Sequence, residues 1–404
     1  MPSRRHVLAS LGAVGVGSVA GCLGSVDTDA GATASDDDTT TDWPMANFDP
    51  MGRSYNRNTT GPTEKPTERW ATEVDWQSTR PVVADGTVYV SSQARLRAFD
   101  VENGEERWSV GPLEATERPR YTAPAVDGDT VYVGADTSAG LLALDAETGE
   151  KRWRYRFDGE HTGMSVPPIP GYTGEEGWSS LVVTDGHGTV HLLDLDEREP
   201  RWTFEVYGRV SRTATRGDVV YAGTEGGEVY ALYDGEGRWR RKLPGKITAL
   251  AVEDNGGEVI ASTFGGGVFR LRDNAHAGRT RWHAERGPVA HRAFVVADGR
   301  VCGTDLARAK VLDERSGDPE WSVEGDFGVP PAGAGDTLYF GGEKGVTAYK
   351  LGGGMGVDGL RFGGKRWHYP FEGSVSGGVT VADEAVVAVD TGGEDRPSRL
   401  RVLE

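Results

Sequence analysis

Tyr121-Thr-Ala-Pro-Ala-Val126-Asp-Gly-Asp129-Thr-Val-Tyr-Val133 opens a stretch that continues through Leu141-Leu-Ala-Leu144-Asp145-Ala-Glu-Thr148-Gly149-Glu-Lys-Arg-Trp153 to Phe157. It holds four short strand-like runs, at 122–126, 130–133, 141–144 and 151–157. The second alternates polar and apolar residues, the pattern of a strand with one face buried. Turn residues fill the gaps: Asp127-Gly128-Asp129, Gly134 to Gly140 and Asp145 to Glu150. With 59 Gly and 20 Pro in 404 residues, few stretches escape a helix-breaking residue long enough to form a long helix. Four short antiparallel strands joined by such turns make one blade of a β-propeller.

The unit repeats. An Arg-Trp or Glu-Trp pair returns at Trp70, Trp108, Trp153, Trp202, Trp239, Trp282, Trp321 and Trp367, at intervals of 37 to 49 residues. Trp43, Trp76 and Trp178 fall outside this register. A period of that length marks an array of similar supersecondary units. Asp85-Gly86, Asp185-Gly186 and Asp298-Gly299 read as the first turn of a unit, because Asp-Gly suits a hairpin turn with φ > 0 at both central residues. An Asp follows the third strand at Asp100, Asp145, Asp194 and Asp313, where its carboxylate can accept backbone N–H bonds across the next turn. The last unit, 374–404, supplies strands near Gly378–Ala382, Glu384–Val389 and Arg399–Leu403 but no Arg-Trp strand. The unpaired Arg69-Trp70 strand fills that gap, and joining the two chain ends removes open sheet edges. The expected fold is all-β: an eight-bladed propeller of four-stranded antiparallel blades over 43–404. Seven blades is the alternative if the glycine-rich 350–367 stretch is irregular.

Ala143-Leu-Asp145-Ala-Glu-Thr148-Gly149-Glu-Lys-Arg-Trp153 resembles the tryptophan-docking motif of the quinoprotein-like (PQQ-like repeat) propeller family, Ala-x-Asp-x-x-Thr-Gly-x-x-x-Trp. Ala98-Phe-Asp100-Val-Glu-Asn103-Gly104-Glu-Glu-Arg-Trp108 follows it with Asn for Thr, and Trp43-Pro-Met-Ala-Asn-Phe-Asp-Pro-Met-Gly-Arg53 is similar to the family's opening segment. The resemblance spans about 43–404, strongest in the first two units, weaker over 200–290 and loosest over 350–404. It implies that the eight repeat tryptophans, with Asp100, Asp145, Gly104 and Gly149, dock each blade against its neighbour. The family's dehydrogenases use pyrroloquinoline quinone (PQQ) with calcium, cover the quinone with two adjacent cysteines and hold calcium with Glu, Asn and Asp. Here Cys302 is solitary in Val301-Cys-Gly303, those positions have no match, and no Cys-x-x-Cys-His offers a haem. No PQQ, calcium or other cofactor is therefore expected. Cys302 reads as a small buried apolar residue.

Residues 1–42 read as an address and a tether. Arg4 and Arg5 precede an uncharged, largely apolar run from Val7 to Ala20, 14 residues long, shorter than the ~20 needed to span a bilayer. The paired arginines resemble a twin-arginine export signal. Val19-Ala20-Gly21-Cys22 resembles a lipobox, making 1–21 a signal peptide and Cys22 the lipidated residue. Residues 22–42 are small, acidic and hydroxyl-rich, a composition unable to offset its ordering entropy, and read as a disordered tether.

The net charge is −18, and −20 without residues 1–21, which argues against nucleic acid or anionic headgroups as partners. Basic residues comprise 36 Arg and 8 Lys, and an acidic, Lys-poor chain resembles proteins of halophilic archaea. Two cysteines exclude a disulfide framework and a multi-thiolate zinc site.

Other chemistry reads blandly. His187-Gly-Thr-Val-His191 would set two imidazoles on one strand face ~13 Å apart, too far to share a metal directly. Glu175-Glu176 and Asp36-Asp-Asp38 lack calcium-loop spacing. The glycine runs at Phe264–Val268 and Gly352–Gly354 lack the Lys-Ser/Thr of a phosphate loop. No catalytic or metal site is expected. The longest insertion, Phe157 to Ser180, carries His161, Met164, Pro167, Pro168, Pro170, Tyr172 and Trp178 and reads as a partner-contacting loop, with Met164 or Trp178 packing over the blades as the alternative. The functional expectation is a non-catalytic, lipid-anchored scaffold outside the cell that binds an envelope protein or small ligand and no nucleic acid. A PQQ-dependent dehydrogenase, or the accessory subunit of a redox enzyme, is the alternative.

Overall fold

The computed structural model describes residues 40–404, apart from 77, 93–94, 112–119, 137–138, 158–162, 165, 175–176, 255, 275, 289, 291, 358–359, 363 and 394–395. The export signal with Arg4 and Arg5, Cys22, most of the tether, His161, Glu175-Glu176 and Asp36-Asp-Asp38 lie outside the described residues.

The stretch that opened the reading folds as Ala125–Asp127, Thr130–Gly134, Leu141–Asp145 and Lys151–Tyr155, paired antiparallel in chain order. Eight such sheets form among the described residues. Blades one to seven occupy 82–110, 125–155, 169–205, 210–242, 247–284, 295–324 and 332–370. Blade eight combines Val375–Ala382, Ala385–Asp390 and Ser398–Leu403 with Glu68–Val74 as its outer strand. Trp70 faces Val402 in that antiparallel pairing, so the two chain ends close the ring as the sequence requires. The glycine-rich 350–367 stretch adds a hairpin, Met355–Val357 with Leu360–Phe362, without removing its blade, which settles the count at eight. Residues 141–144 are wholly buried because neighbouring blades cover both faces of the sheet.

The structure explains why Arg or Glu precedes each repeat tryptophan. In all eight outer strands the register shifts beside the tryptophan, as between Lys151 and Trp153. The bulged residue between them turns out of the alternation. Arg107, Arg152 and Arg201 then reach Asp100, Asp145 and Asp194 of their own blades, each at 2.7 Å.

Two readings need correction. Asp185-Gly186 does not occupy a first turn: it links Gly177–Thr184 to Thr189–Asp194, the second and third strands of blade three. The Asp185 carboxylate caps that turn by accepting from the backbone N–H groups of His187, Gly188 and Thr189 at 2.8–2.9 Å, and Gly188 alone takes positive φ, at 108°. The 157–180 insertion is in large part sheet. Ile169–Gly174 and Gly177–Thr184 are the first two strands of blade three, formed despite Pro170 because the first strand lies at the inner edge of its sheet.

Residues 41–56 form a strap around one end of the channel. The inner strand of each blade has an unused hydrogen-bonding edge, and the strap meets these edges in chain order. Val83 exchanges backbone bonds with Trp43; Val126 donates to Pro44, Thr215 to Pro50, Val252 to Met51, Val296 to Arg53 and Gly333 to Ser54, at 2.8–3.0 Å. The fully buried Asn56 completes the circuit at blade eight: its side-chain N–H group donates to Val381 O at 3.0 Å, and also to Thr41 O and Asp42 O. Asn56→Ala strands these buried acceptors, and the expected loss is about 2–3 kcal/mol, read as a lowered urea midpoint at unchanged m-value.

Candidate functional site

Because strands alternate in direction, the turns after first and third strands lie at the strap end. The turns after second strands and the links between blades lie at the other end, the mouth. Functional residues sort onto these two faces.

The repeat tryptophans and their aspartates belong to the strap end. Asp100, Asp145 and Asp194 each accept two backbone N–H bonds and Asp313 accepts one, from Ser316 at 2.7 Å. The next residue's carbonyl accepts an indole N–H from the preceding blade: Trp70 to Val101, Trp108 to Ala146, Trp282 to Glu314 and, at the matching position, Trp321 to Leu351, all at 2.8–2.9 Å. A Cβ built on Gly149 would lie 2.7 Å from the Trp108 ring, and one on Gly104 2.6 Å from Trp70. Gly149 has φ 72°, so both backbone and ring exclude a side chain there. Trp202 packs on Gly235, Trp239 donates to Asp273, and Arg198 stands 5.8 Å over Trp153. Trp367 donates to Pro62 O, a residue from before the outer strand of blade eight, because the chain ends interrupt that blade's last turn.

An ion-pair network ties blades five and six to the strap. The buried Arg270 guanidinium meets Glu253 and Glu258, with Glu314 at 3.9 Å, while the strap's Arg53 holds Asp49 and Asp254. Burial, then the Glu253 charge, push the Glu314 carboxyl up to about 7, against the opposing pull of Arg270. A raised carboxyl pKa means that the folded state holds its proton longer than the unfolded chain. Stability is therefore full below the ordinary value of 4.5 and is lost as pH rises through about 7. Glu314→Gln should remove this loss, raising stability at pH 8 by on the order of 1–2 kcal/mol and leaving it unchanged at pH 4; parallel denaturant titrations at both pH values check this.

Two arginines stand at the inner ring on opposite arcs. Arg80, in the link from blade eight to blade one, is buried and makes no ion pair among the described residues. It donates to Ala46 O (2.9 Å), Ser54 Oγ (3.0 Å), Pro330 O (3.1 Å) and Pro331 O, and lies 5.1 Å over the Trp43 ring, pinning the strap. Burial pulls its pKa down to about 9. Arg212, on the inner strand of blade four, donates through Nε to Thr248 O at 2.7 Å.

The remaining candidates are structural. His187 lies in the turn before Thr189–Asp194, so the two histidines do not share a strand; His191 is buried against Tyr155 and Phe157. Cys302 is fully buried and burial pushes its thiol pKa far up. Met164 is fully buried against Gly134, and Trp178 is half-buried and stacked on Tyr132, so neither is the exposed contact that a partner loop needs. Among the described residues no three His, Cys, Asp or Glu side chains are placed to hold a metal ion.

The mouth differs from the strap end in its apolar exposure. Of the six large apolar side chains exposed among the described residues, four, Trp76 (64%), Tyr207 (74%), Phe264 (72%) and Leu306 (67%), lie in mouth-side turns or links, while Tyr233 (47%) and Met355 (82%) lie at the strap end. Beside Tyr207 a groove of about 480 Å³ opens between blades three and four, lined by Phe204, Tyr230, Trp239 and Arg240. The sequence reading placed Trp76 outside the tryptophan register and Phe264 in a glycine run but did not mark these residues as one exposed face, because each sits alone in its own repeat.

A profile of the family described as outer membrane protein assembly factor BamB matches residues 25–177 and 173–354. The chain belongs to that family. The crystal structure of BamB from Moraxella catarrhalis is similar over 84% of this chain and 97% of its own, with TM-score 0.63 and 17% identity. A quinohemoprotein alcohol dehydrogenase from Comamonas testosteroni is similar over 90% of this chain and 80% of its own, with TM-score 0.69 and 15% identity. At these identities the likeness is one of fold, which the BamB-family propeller here shares with an alcohol dehydrogenase and an assembly factor alike. A curated relative, the serine/threonine-protein kinase AfsK of Streptomyces griseus, is 34% identical over 137 residues. That match covers 32% of this chain and only 16% of the kinase, so it concerns a small part of that protein.

Proposed function

We propose that this BamB-family chain is an exported, twin-arginine-type lipoprotein of halophilic character. Lipid on Cys22 and a tether to about residue 40 hold it at the outer face of the cytoplasmic membrane. There it serves as a non-catalytic scaffold for a cell-envelope protein or small ligand. One observation carries the scaffold reading: the strap occupies the inner-strand edges at one end of the ring, while the mouth displays four of the six large apolar side chains exposed among the described residues. Single exposed apolar residues are ordinary, but their concentration on one face marks a contact surface.

The fold likeness to an alcohol dehydrogenase favours a second reading, a PQQ enzyme. The donor set does not fit that group. Cys302 is solitary and buried, and no convergent carboxylate set is present among the described residues to hold calcium.

Combining Tyr207→Ser, Phe264→Ser and Leu306→Ser should abolish retention of the partner from native membranes at unchanged circular dichroism; retention by the triple variant would refute the mouth as the contact face. Mixing the protein with PQQ and calcium should give no bound chromophore and no alcohol or aldose oxidation, and turnover would establish the enzyme instead. Cys22→Ser should move the protein from the membrane to the soluble fraction.

A further inference from the structure

We propose that the mouth of the channel between blades four and six binds a small anion carrying carboxylate or phosphate oxygens, held by Arg212 and Arg292. This deepens the ligand-binding side of the reading above but depends neither on the lipid anchor nor on a protein partner.

Three observations converge. Arg212 projects from the inner strand Val210–Arg216 toward the inner strand Ile247–Val252 of the next blade, where its Nε–H meets Thr248 O at 2.7 Å. Its other acceptor is Ser211 O, so both are neutral carbonyls, and it makes no ion pair among the described residues. The site is thus a half-buried charge whose protein contacts among the described residues leave it uncompensated. A group so placed favours an anionic oxygen, to which guanidinium donates in a planar fork.

Arg292 reaches the same carbonyl from the link between blades five and six: its backbone N–H donates to Thr248 O at 3.1 Å. It holds φ at 68°, the left-handed region that a non-glycine residue seldom occupies, and its side chain is exposed at the mouth. The two cations oppose each other: after burial, the Arg292 charge is what depresses Arg212, to about 9, with Glu225 acting weakly the other way. Glu225 is itself engaged by Lys246 at 2.6 Å. In a chain of net charge −18, two arginines meeting one carbonyl, Arg212 through its side chain and Arg292 through its backbone, with no carboxylate paired to either among the described residues, are a specific arrangement. The third observation is the Thr248 hydroxyl, buried and without a hydrogen-bond partner among the described residues. It adds a neutral donor at the same position, and buried polar groups rarely stay unpaired.

The test is calorimetric titration of the full chain with citrate and, separately, inorganic phosphate at constant ionic strength. The expected result is saturable one-to-one binding of at least one anion. Arg212→Gln and Arg292→Gln should each weaken it tenfold or more, whereas Arg396→Gln, in an exposed pair with Glu372 on blade eight, should leave it unchanged. Arg292 is exposed, so its variant folds and keeps the test decisive even if Arg212→Gln does not. Absence of binding by both anions, or binding that Arg292→Gln leaves intact, overturns the proposal. Loss of anion binding together with retained capture of an envelope protein separates this site from the apolar contact face.

Discussion

A chain ending at residue 397 should yield no folded monomer. The deletion removes Ser398–Leu403, whose Leu400, Val402 and Leu403 are fully buried. At roughly 1.5–3 kcal/mol for each buried aliphatic side chain, their loss alone approaches the 5–15 kcal/mol that holds a typical domain folded. It also frees the edges of Glu68–Val74 and Ala385–Asp390, which pair only through the missing strand. Open edges of this kind recruit other chains. The product should elute in the void volume on size exclusion and bind a hydrophobic dye. As a control, the exposed Arg399→Ala should stay within about 0.5 kcal/mol of the parent. A soluble, monomeric truncation would mean that the ring does not need its closing strand.

Trp108→Ala should cost about 3–5 kcal/mol, the range for emptying a buried aromatic site. The indole is 8% exposed, lies 5.8 Å from the Tyr89 ring, rests on Gly149 and donates to Ala146 O. Gly149→Val approaches the same contact from the other blade. Its Cβ would sit 2.7 Å from the ring, and φ of 72° adds roughly 1–2 kcal/mol of backbone strain, for about 3–4 kcal/mol in all. Since both changes break one contact, the double variant should lose well under the sum of the two. Chemical denaturation of the four proteins measures the coupling; strict additivity would show that ring and glycine act independently.

Much of this architecture was readable because it is periodic. The indole repeat named the blades, the lone Arg69-Trp70 strand named the closure, and the Asp-x-x-x-Gly turn placed the docking contacts. Readings failed where local chemistry has two solutions. Asp185-Gly186 fits a tight hairpin on composition, yet a carboxylate gathering three N–H groups makes a wider turn equally good. Residues 169–180 carry Pro170 and three glycines that resemble a loop, and only the neighbouring strands show that much of this stretch is sheet. Arg80 and Arg212 could not be singled out at all. Nothing beside them in the chain distinguishes them from the other arginines, because Arg80 is held by Ser54, 26 positions before it, and by Pro330, 250 positions after it, and Arg212 by the adjoining blade. The strap was half legible: the segment from Trp43 to Arg53 was noticed, but its circuit depends on seven separate strands.

That circuit constrains how the protein is made. The strap must touch strands made long after it, and its last partner, Val381, follows Asn56 by 325 residues. No nascent fragment is a finished object. Contacts this distant in sequence form slowly, so the growing polypeptide waits with its inner strand edges uncovered until blade eight has been made. Chaperone demand should therefore persist until blade eight is complete, and a cell that moves the protein across a membrane in its finished state would have to hold it back until that step is done.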